Sequence, residues 1–424
     1  DQWDLQSCID YAKEQNITIR KNRITAVSTQ IDVKTAKAAL FPSLSFSTGH
    51  QVVNRPYQET SSRVSGSEII SSNSKTSYNG NYGLNASWTL YNGNKRLKTI
   101  QQEKLNNQMA ELDVATSENN IQESIAQVYI QILYAAESVK VNENTLQVSI
   151  AQRDRGQELL NAGSIAKSDL AQLEAQVSTD RYQLVTAQAT LEDYKLQLKQ
   201  LLELDGENEM NIYLPALSDE NVLAPLPTKR DVYISALSLR PEIEASKLNV
   251  EASELGINIA KSSYFPTISL SAGIGTNHTS GSDFTFGEQV KNGWNNSIGL
   301  SVSVPIFNNR QTKSAVQKAK LQYETSMLSL LDEQKALYKT IESLWLDANS
   351  AQQRYAAANE KLKSTQISYE LISEQFNLGM KNTVELLTEK NNLLQAQQEQ
   401  LQAKYMAILN TQLLKFYQGD QLAI

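Results

Sequence analysis

Residues 36–49 read AKAALFPSLSFSTG, and residues 260–273 read AKSSYFPTISLSAG. Seven of these fourteen positions are identical at an offset of 224 residues. Two more pairs follow in the same order at an offset of 216: GLNASWTLYNGN (83–94) with GLSVSVPIFNNR (299–310), and NAGSIAKSDL (161–170) with NLGMKNTVEL (377–386). The eight-residue change of offset marks an insertion in the first half. Three ordered matches read as a tandem duplication, joined in the Pro-containing stretch from Leu214 to Thr228. Residues 1–215 form the first repeat and 216–424 the second, interleaved in one fold rather than separate domains.

Working outward, each half carries a very long helix. Residues 94–155 and 308–378 contain neither Gly nor Pro, giving uninterrupted runs of 62 and 71 residues. At about 1.5 Å per residue the second would reach roughly 105 Å. Ile121, Ile125, Val128, Ile132, Ala135 and Val139 alternate by four and three, the stripe of a helix packed on helices. Leu170, Leu173, Val177, Leu184, Ala187, Leu191, Tyr194, Leu198 and Leu201 do the same, broken by Asp180 where the stripe should continue. The expected helices are 5–40, 94–162 and 164–204 in the first half and 229–262, 308–378 and 380–418 in the second. Pro241 can occupy a first turn, and Gly163 and Gly379 reverse the chain between helices.

Between the shorter and the long helix of each half the period changes to two. Tyr82, Leu84, Ala86, Trp88 and Leu90 alternate with Asn81, Gly83, Asn85, Ser87 and Thr89. Ile268, Leu270, Ala272 and Ile274 alternate with Ser and Gly, as do Ile298, Leu300, Val302 and Val304. Four strands are expected, at about 43–53, 79–91, 267–276 and 295–306. A soluble sheet normally carries Lys, Glu or Thr on its wet face; these faces carry Ser, Gly and Asn. One apolar face, one small polar face and aromatic residues at the ends (Phe41, Tyr82, Trp88, Tyr91, Phe265, Trp294, Phe307) are the pattern of a transmembrane β-barrel with an aromatic girdle. The Ser-rich insert at 55–77 and the loop at 277–293 would be its longer external loops. Four strands cannot close a barrel, and an open edge in lipid leaves backbone groups unpaired. A trimer would supply twelve strands and twelve helical staves; a dimer would supply eight strands, with a filled lumen.

Composition narrows the function classes. The chain has 424 residues, 38 Gln and few Gly and Pro (17 and 8), which suits long solvated helices. One cysteine, Cys8, allows no intramolecular disulfide, and two histidines, His50 and His278, cannot build the usual zinc clusters. A net charge of −7 with no dense basic run disfavours nucleic acid. No run of 18 apolar residues forms a transmembrane helix, and no signal-like stretch lies near Asp1. Nucleophile–base pairs, metal spacings and phosphate loops are absent, so no catalytic, cofactor or metal site is expected and the protein reads as a non-enzyme.

The duplicated plan, the AKAALFPSLS and AKSSYFPTIS motifs, WTLYNG and VPIFNN, the opening WDLQSCIDYA and its counterpart around LRPEIEA together resemble the TolC family of outer-membrane efflux proteins. The resemblance covers essentially the whole chain. It implies an α+β membrane protein: a trimeric channel-tunnel with a 12-stranded β-barrel continuous with a 12-helix periplasmic α-barrel. It also implies a passive exit duct in the outer membrane of a Gram-negative bacterium, with the signal peptide already removed. The implied partners are a periplasmic adaptor, an inner-membrane transporter of RND, ABC or MFS type, and outer-membrane lipid, with no nucleic acid and no cofactor. Some relatives begin with a lipidated cysteine; here Cys8 falls inside the first helix and reads as a small buried hydrophobe.

By the same resemblance, the reversals at Gly163 and Gly379 form the periplasmic tip. Ser168, Asp169, Phe376 and Lys381 match its gate, with Phe376 standing where the family's best-known member has a tyrosine. Lys in place of Arg at 381 also removes bidentate geometry. The main contact expected of this gate is an Asp169–Lys381 pair across chains. Glu385, with Glu389 beside Thr388, would form an acidic entrance ring favouring cations. Asn161, Gly163, Ser164, Ile165, Asn377, Gly379 and Met380 would present the tips to the adaptor. The competing reading is a structural coiled-coil scaffold or surface filament without a pore, which gives no reason for uncharged alternating strands.

Overall fold

The computed structural model describes residues 2–57, 61–65, 67–72, 75–205, 210–215 and 222–423. In chain order the first half holds α1 (Leu5–Gln15), α2 (Ile17–Ala38), β1 (Ser43–Asn54), the short strands β2 (Ser61–Ser65) and β3 (Glu68–Ser72), β4 (Thr76–Asn92), α3 (Lys95–Asn161) and α4 (Lys167–Leu201). The second half holds α5 (Lys229–Leu239), α6 (Pro241–Lys261), β5 (Thr267–Thr279), α7 (Phe286–Asn292), β6 (Asn295–Ser303), α8 (Gln311–Asn377) and α9 (Thr383–Gln418). The chain divides into two compact units: Asp1–Thr25, Ala110–Ser246 and Leu330–Ile424 in one, Ala26–Met109 and Lys247–Ser329 in the other.

The first unit is helical and contains the apolar core. Cys8, Ile9 and Ala12 of α1 meet Ile125, Tyr129 and Ile132 of α3, Leu198 of α4, Tyr355 of α8 and Ala407 of α9. Burial pushes the Cys8 thiol up to about 12, so it behaves as an inert apolar group. A second cluster joins Val232 and Ala236 of α5 to Ile243, Leu337, Ile341 and Leu414. Segments between helices are tied to these cores through their backbone: Trp3 and Ile212 form a parallel bridge, and the Tyr129 hydroxyl donates to the Tyr213 carbonyl at 2.6 Å.

Two helices expected as continuous are broken. Asn16 interrupts 5–40: its backbone is extended at ψ 127°, its amide donates to the Leu201 carbonyl at 3.0 Å, and its Oδ1 accepts from Thr18 at 2.9 Å. The side chain thus ends α1 and caps α2. Arg240 interrupts 229–262 at ψ 122°, as a residue preceding Pro must when Pro Cδ crowds the helical region.

The second unit contains the sheet. Its strand order is β1-β4-β5-β6, antiparallel throughout, so β1 and β6 are its edges. Pro42 and Pro266 start the strands by ending the preceding helices, and the left-handed pair Gly93 (φ 66°) and Asn94 (φ 61°) turns β4 into α3. β5 continues to Thr279, three residues beyond the expected end, because Asn277–Thr279 pair with Asn79–Asn81. β6 stops at Ser303, before Pro305, which has no N–H to extend a ladder. Within the expected external loops lie β2 paired with β3 and the helix α7; residues 58–60, 66, 73–74 of the insert are outside the described ones.

Candidate functional site

The sheet register sorts the strands into two chemically distinct faces. Leu44, Ala86, Ala272 and Ile298 lie in one rung, Phe46, Leu84 and Ile274 in the next, and Trp88, Leu270 and Leu300 on the other side. The alternate rungs read Ser43, Ser87, Ser271 and Gly299, then Ser45, Asn85, Gly273 and Ser297. On the apolar face Leu44, Phe46, Ile298 and Leu300 are 64–79% exposed, so none of the described residues covers them. Such a face normally finds a partner or a membrane.

The aromatic residues singled out from sequence fall at the two ends of this face. Phe41, Trp88, Tyr91, Phe265 and Phe307 sit near the helix-ward end, with Trp88 donating its indole N–H to the Leu40 carbonyl at 2.8 Å. Tyr82 and Trp294 sit at the far end, where Trp294 donates to Asn296 at 3.1 Å. The apolar stretch of β5 from Ile268 to Ile274 spans about 20 Å at roughly 3.3 Å per residue. Among the described residues no helix is long and apolar enough to cross a membrane.

In the helical unit the two reversals come together. Gly163 and Gly379 both have φ +74°. Ser164 N–H reaches back to the Leu159 carbonyl (2.8 Å), as Met380 N–H does to the Gln375 carbonyl (2.9 Å), the six-residue closure that a left-handed Gly permits. A cavity of about 370 Å³ opens between the turns, lined by Ile165, Asp169, Phe376, Met380, Lys381 and Glu385 among others. Asn161, Gly163, Ser164, Asn377, Gly379 and Met380 are exposed around it, whereas Phe376 is only 4% exposed.

Asp169, Lys381 and Glu385 each have a partner within the chain. Asp169 accepts from the Ala166 backbone N–H at 3.0 Å and so fastens the start of α4. Lys381 pairs with Glu385 one turn along α9 at 2.6 Å. Glu385 also closes a capping box with Asn382, accepting its N–H at 3.1 Å while Asn382 accepts from Glu385 at 2.9 Å. These donors, Lys381 first, hold the Glu385 carboxyl below the usual carboxylate value. Ser168 stands exposed outside the cavity. Glu389 turns elsewhere, accepting from Ser368 at 3.0 Å and Asn392 at 3.3 Å, so the two acids are engaged separately.

Two buried charge clusters lie along the same helices. Asp180, visible in the sequence as a break in an apolar stripe, is met by Lys390 of α9 and by the hydroxyl of Ser149 in α3. Nothing around Lys390, in the polar run TEKNN, distinguishes it from a solvated lysine. Arg240 bonds Glu123 at 3.1 Å and Glu242 at 2.8 Å while its guanidinium covers the Tyr417 ring at 4.1 Å. Among the described residues no group of three or more His, Cys, Asp or Glu could hold a metal ion.

A family model described as "Outer membrane efflux protein" matches residues 8–203 and 232–419. Among curated proteins the chain is 24% identical over 294 residues to the outer membrane efflux protein BepC of Brucella suis, covering 69% of this chain and 61% of that one. It is also 24% identical over 294 residues to the outer membrane protein TolC of Escherichia coli, covering 67% and 58%. The matched stretch thus spans about three fifths of either relative. Among solved structures, that of CusC superposes with a TM-score of 0.83 at 19% identity, covering 98% of this chain and 92% of that one.

Proposed function

The chain belongs to the outer membrane efflux protein family, and we propose that three copies form an exit duct through the outer membrane. In this reading the four-stranded sheets of three internally duplicated chains close a twelve-stranded barrel, and their helices line a periplasmic conduit. The observation that carries it is the sheet whose two edges pair with no other strand among the described residues, with one exposed apolar face and one Ser, Gly and Asn face. In lipid the edges must pair with something, and only closure with further copies removes them. The apolar face then meets lipid, and the small polar face lines an aqueous lumen.

The duct is passive and non-catalytic; transport is driven by an inner-membrane transporter of RND, ABC or MFS type, and a periplasmic adaptor docks on the exposed tips around Gly163 and Gly379. The tip forms the gate, with Ser168, Asp169, Phe376 and Lys381 as its members and Glu385 and Glu389 as its acidic entrance. Asp169 and Lys381 line one cavity, which supports the gate, but Lys381 reaches an Asp169 of another copy only by loosening its pair with Glu385. Buried Phe376 acts through packing rather than as a contact offered to a neighbour.

The test is the absolute mass of protein extracted from membranes, by light scattering with the detergent belt subtracted. Three times 47.3 kDa, with detergent needed for solubility, is the expected result. A monodisperse species soluble without detergent would remove the barrel and favour a filament or scaffold.

A further inference from the structure

The chain has two histidines in 424 residues, and the fold brings them together. His50 of β1 and His278 of β5 are opposite neighbours of the same residue, Gly80 of β4. Their ring centroids are 6.4 Å apart, and the strand between them has no side chain. A Cβ placed on Gly80 would lie 2.2 Å from His278 Cε1, 2.6 Å from His278 Nδ1 and 3.2 Å from His50 Nδ1. The His278 ring thus packs onto the bare Gly80 backbone, where only Gly leaves room for it, and its Nδ1 and that of His50 lie on the same side of β4.

Hydrogen bonds orient the His50 ring and leave the His278 Nδ1 unused. His50 Nε2 is 3.1 Å from the Thr48 hydroxyl and Nδ1 is 2.8 Å from the Tyr78 hydroxyl. The simplest assignment has Nε2–H donating to Thr48 and a bare Nδ1 accepting from Tyr78. His278 Nδ1 is buried and has no hydrogen-bond partner among the described residues, a polar atom that an ion or a water would satisfy. The rings are held from the sides: Tyr82 stacks on His278 at 5.9 Å, and Phe286 of α7 meets it edge-on at 4.9 Å.

We propose that His50 and His278 form a two-imidazole site for a divalent transition-metal ion, seated over Gly80. Neutral imidazole nitrogens suit Cu²⁺, Ni²⁺ and Zn²⁺, whereas Mg²⁺ and Ca²⁺ require oxygen donors. The ion takes one Nδ1 lone pair from each ring and displaces the Tyr78 hydroxyl from His50; water completes its coordination, and no proton is released from either ring. Thr48 fixes the His50 tautomer from behind, the outer-shell role that metal-binding histidines commonly require. Bound there, the ion would tie β1 to β5 across β4. The site is complete within one chain, so its failure would leave the duct reading untouched.

The probe is copper(II) chloride, titrated calorimetrically into detergent-solubilised protein prepared without a polyhistidine tag. Expected is one Cu²⁺ per chain, with binding lost in His50→Ala and in His278→Ala and weakened at least tenfold in Gly80→Ala, whose methyl group would collide with the His278 ring and displace it. Equal binding by wild type and the double histidine variant would overturn the proposal. Electron paramagnetic resonance of the wild-type complex needs no variant to fold: coupling to two imidazole nitrogens is expected, and coupling to one or none would also overturn it.

Discussion

Lys390 of α9 donates to the carboxylate of Asp180 on α4, and the two side chains are 3% and 2% exposed. Ser149 of α3 bonds both, and Gln176 donates to the other carboxylate oxygen at 2.9 Å. Three helices are thus pinned in register by one pair whose charges have almost no water. Removing a single partner strands the other charge. Lys390→Met is therefore expected to destabilise the fold by about 3–5 kcal/mol, whereas Lys390→Met with Asp180→Leu should recover most of that loss or all of it. Urea unfolding of the two variants checks this; equal losses in both would mean that packing, not charge, dominates there.

Arg240 offers a comparable test with a pH signature. Replacing it by Lys removes the flat surface against Tyr417 and the forked contacts to Glu123 and Glu242, for about 1.5–3 kcal/mol. Burial pushes the Glu123 carboxyl up, and Arg240 is the main group opposing that rise. In Arg240→Met the carboxyl should climb further. A carboxyl whose folded value exceeds its unfolded one binds more protons when folded, so stability falls as pH rises through that window. The variant should accordingly lose more stability than wild type as pH rises above the usual carboxylate value of about 4.5. Parallel melting curves across that range would contradict the assignment.

How much of this could be read in advance depends on whether a residue's signal is periodic. The strands were legible because Ser and Gly alternate strictly with Ile, Leu and Val, a period-two pattern that needs no partner to be seen. Asp180 was legible for the same reason, as a charge in an apolar row. Its partner was not, because Lys390 lies among polar residues and becomes buried only through packing against α3 and α4. The break at Asn16 was equally hidden: Asn ends that helix through a bond to Leu201, 185 residues away, and a sequence shows no such contact. His50 and His278 are 228 positions apart, and only the strand order places them on either side of Gly80.

At the tip, the Lys381–Glu385 pair sets a clear sign. The Glu385 carboxyl is held low by Lys381 and then by the Asn382 N–H. What it adds to the start of α9 is therefore present above about pH 4.5 and lost as pH falls through the lowered value. Lys381→Met should move the Glu385 midpoint upward, readable by carbon-13 NMR of the labelled side chain. If Lys381 instead serves the gate with Asp169, replacing both residues by Ala should raise single-channel conductance in planar bilayers, and Glu385→Gln should reduce cation selectivity. Unchanged conductance would remove the gate; unchanged selectivity would remove the acidic entrance.

The two faces of the sheet make opposite demands on one strand. Leu300 pairs with Leu270 on the apolar face, and Ser301 pairs with Ser269 on the polar face, one residue along β6. Because consecutive strand residues point to opposite sides, the same substitution at these neighbours samples two solvents. Leu300→Arg is expected to cost about 2–4 kcal/mol if that position lies near the bilayer midplane, and to lower the amount of assembled protein recovered from membranes. Ser301→Arg should leave assembly intact and shift ion selectivity toward anions, since its charge would enter the lumen. Should both variants assemble equally well without any change in selectivity, the sheet does not separate lipid from water, and the duct reading falls with it.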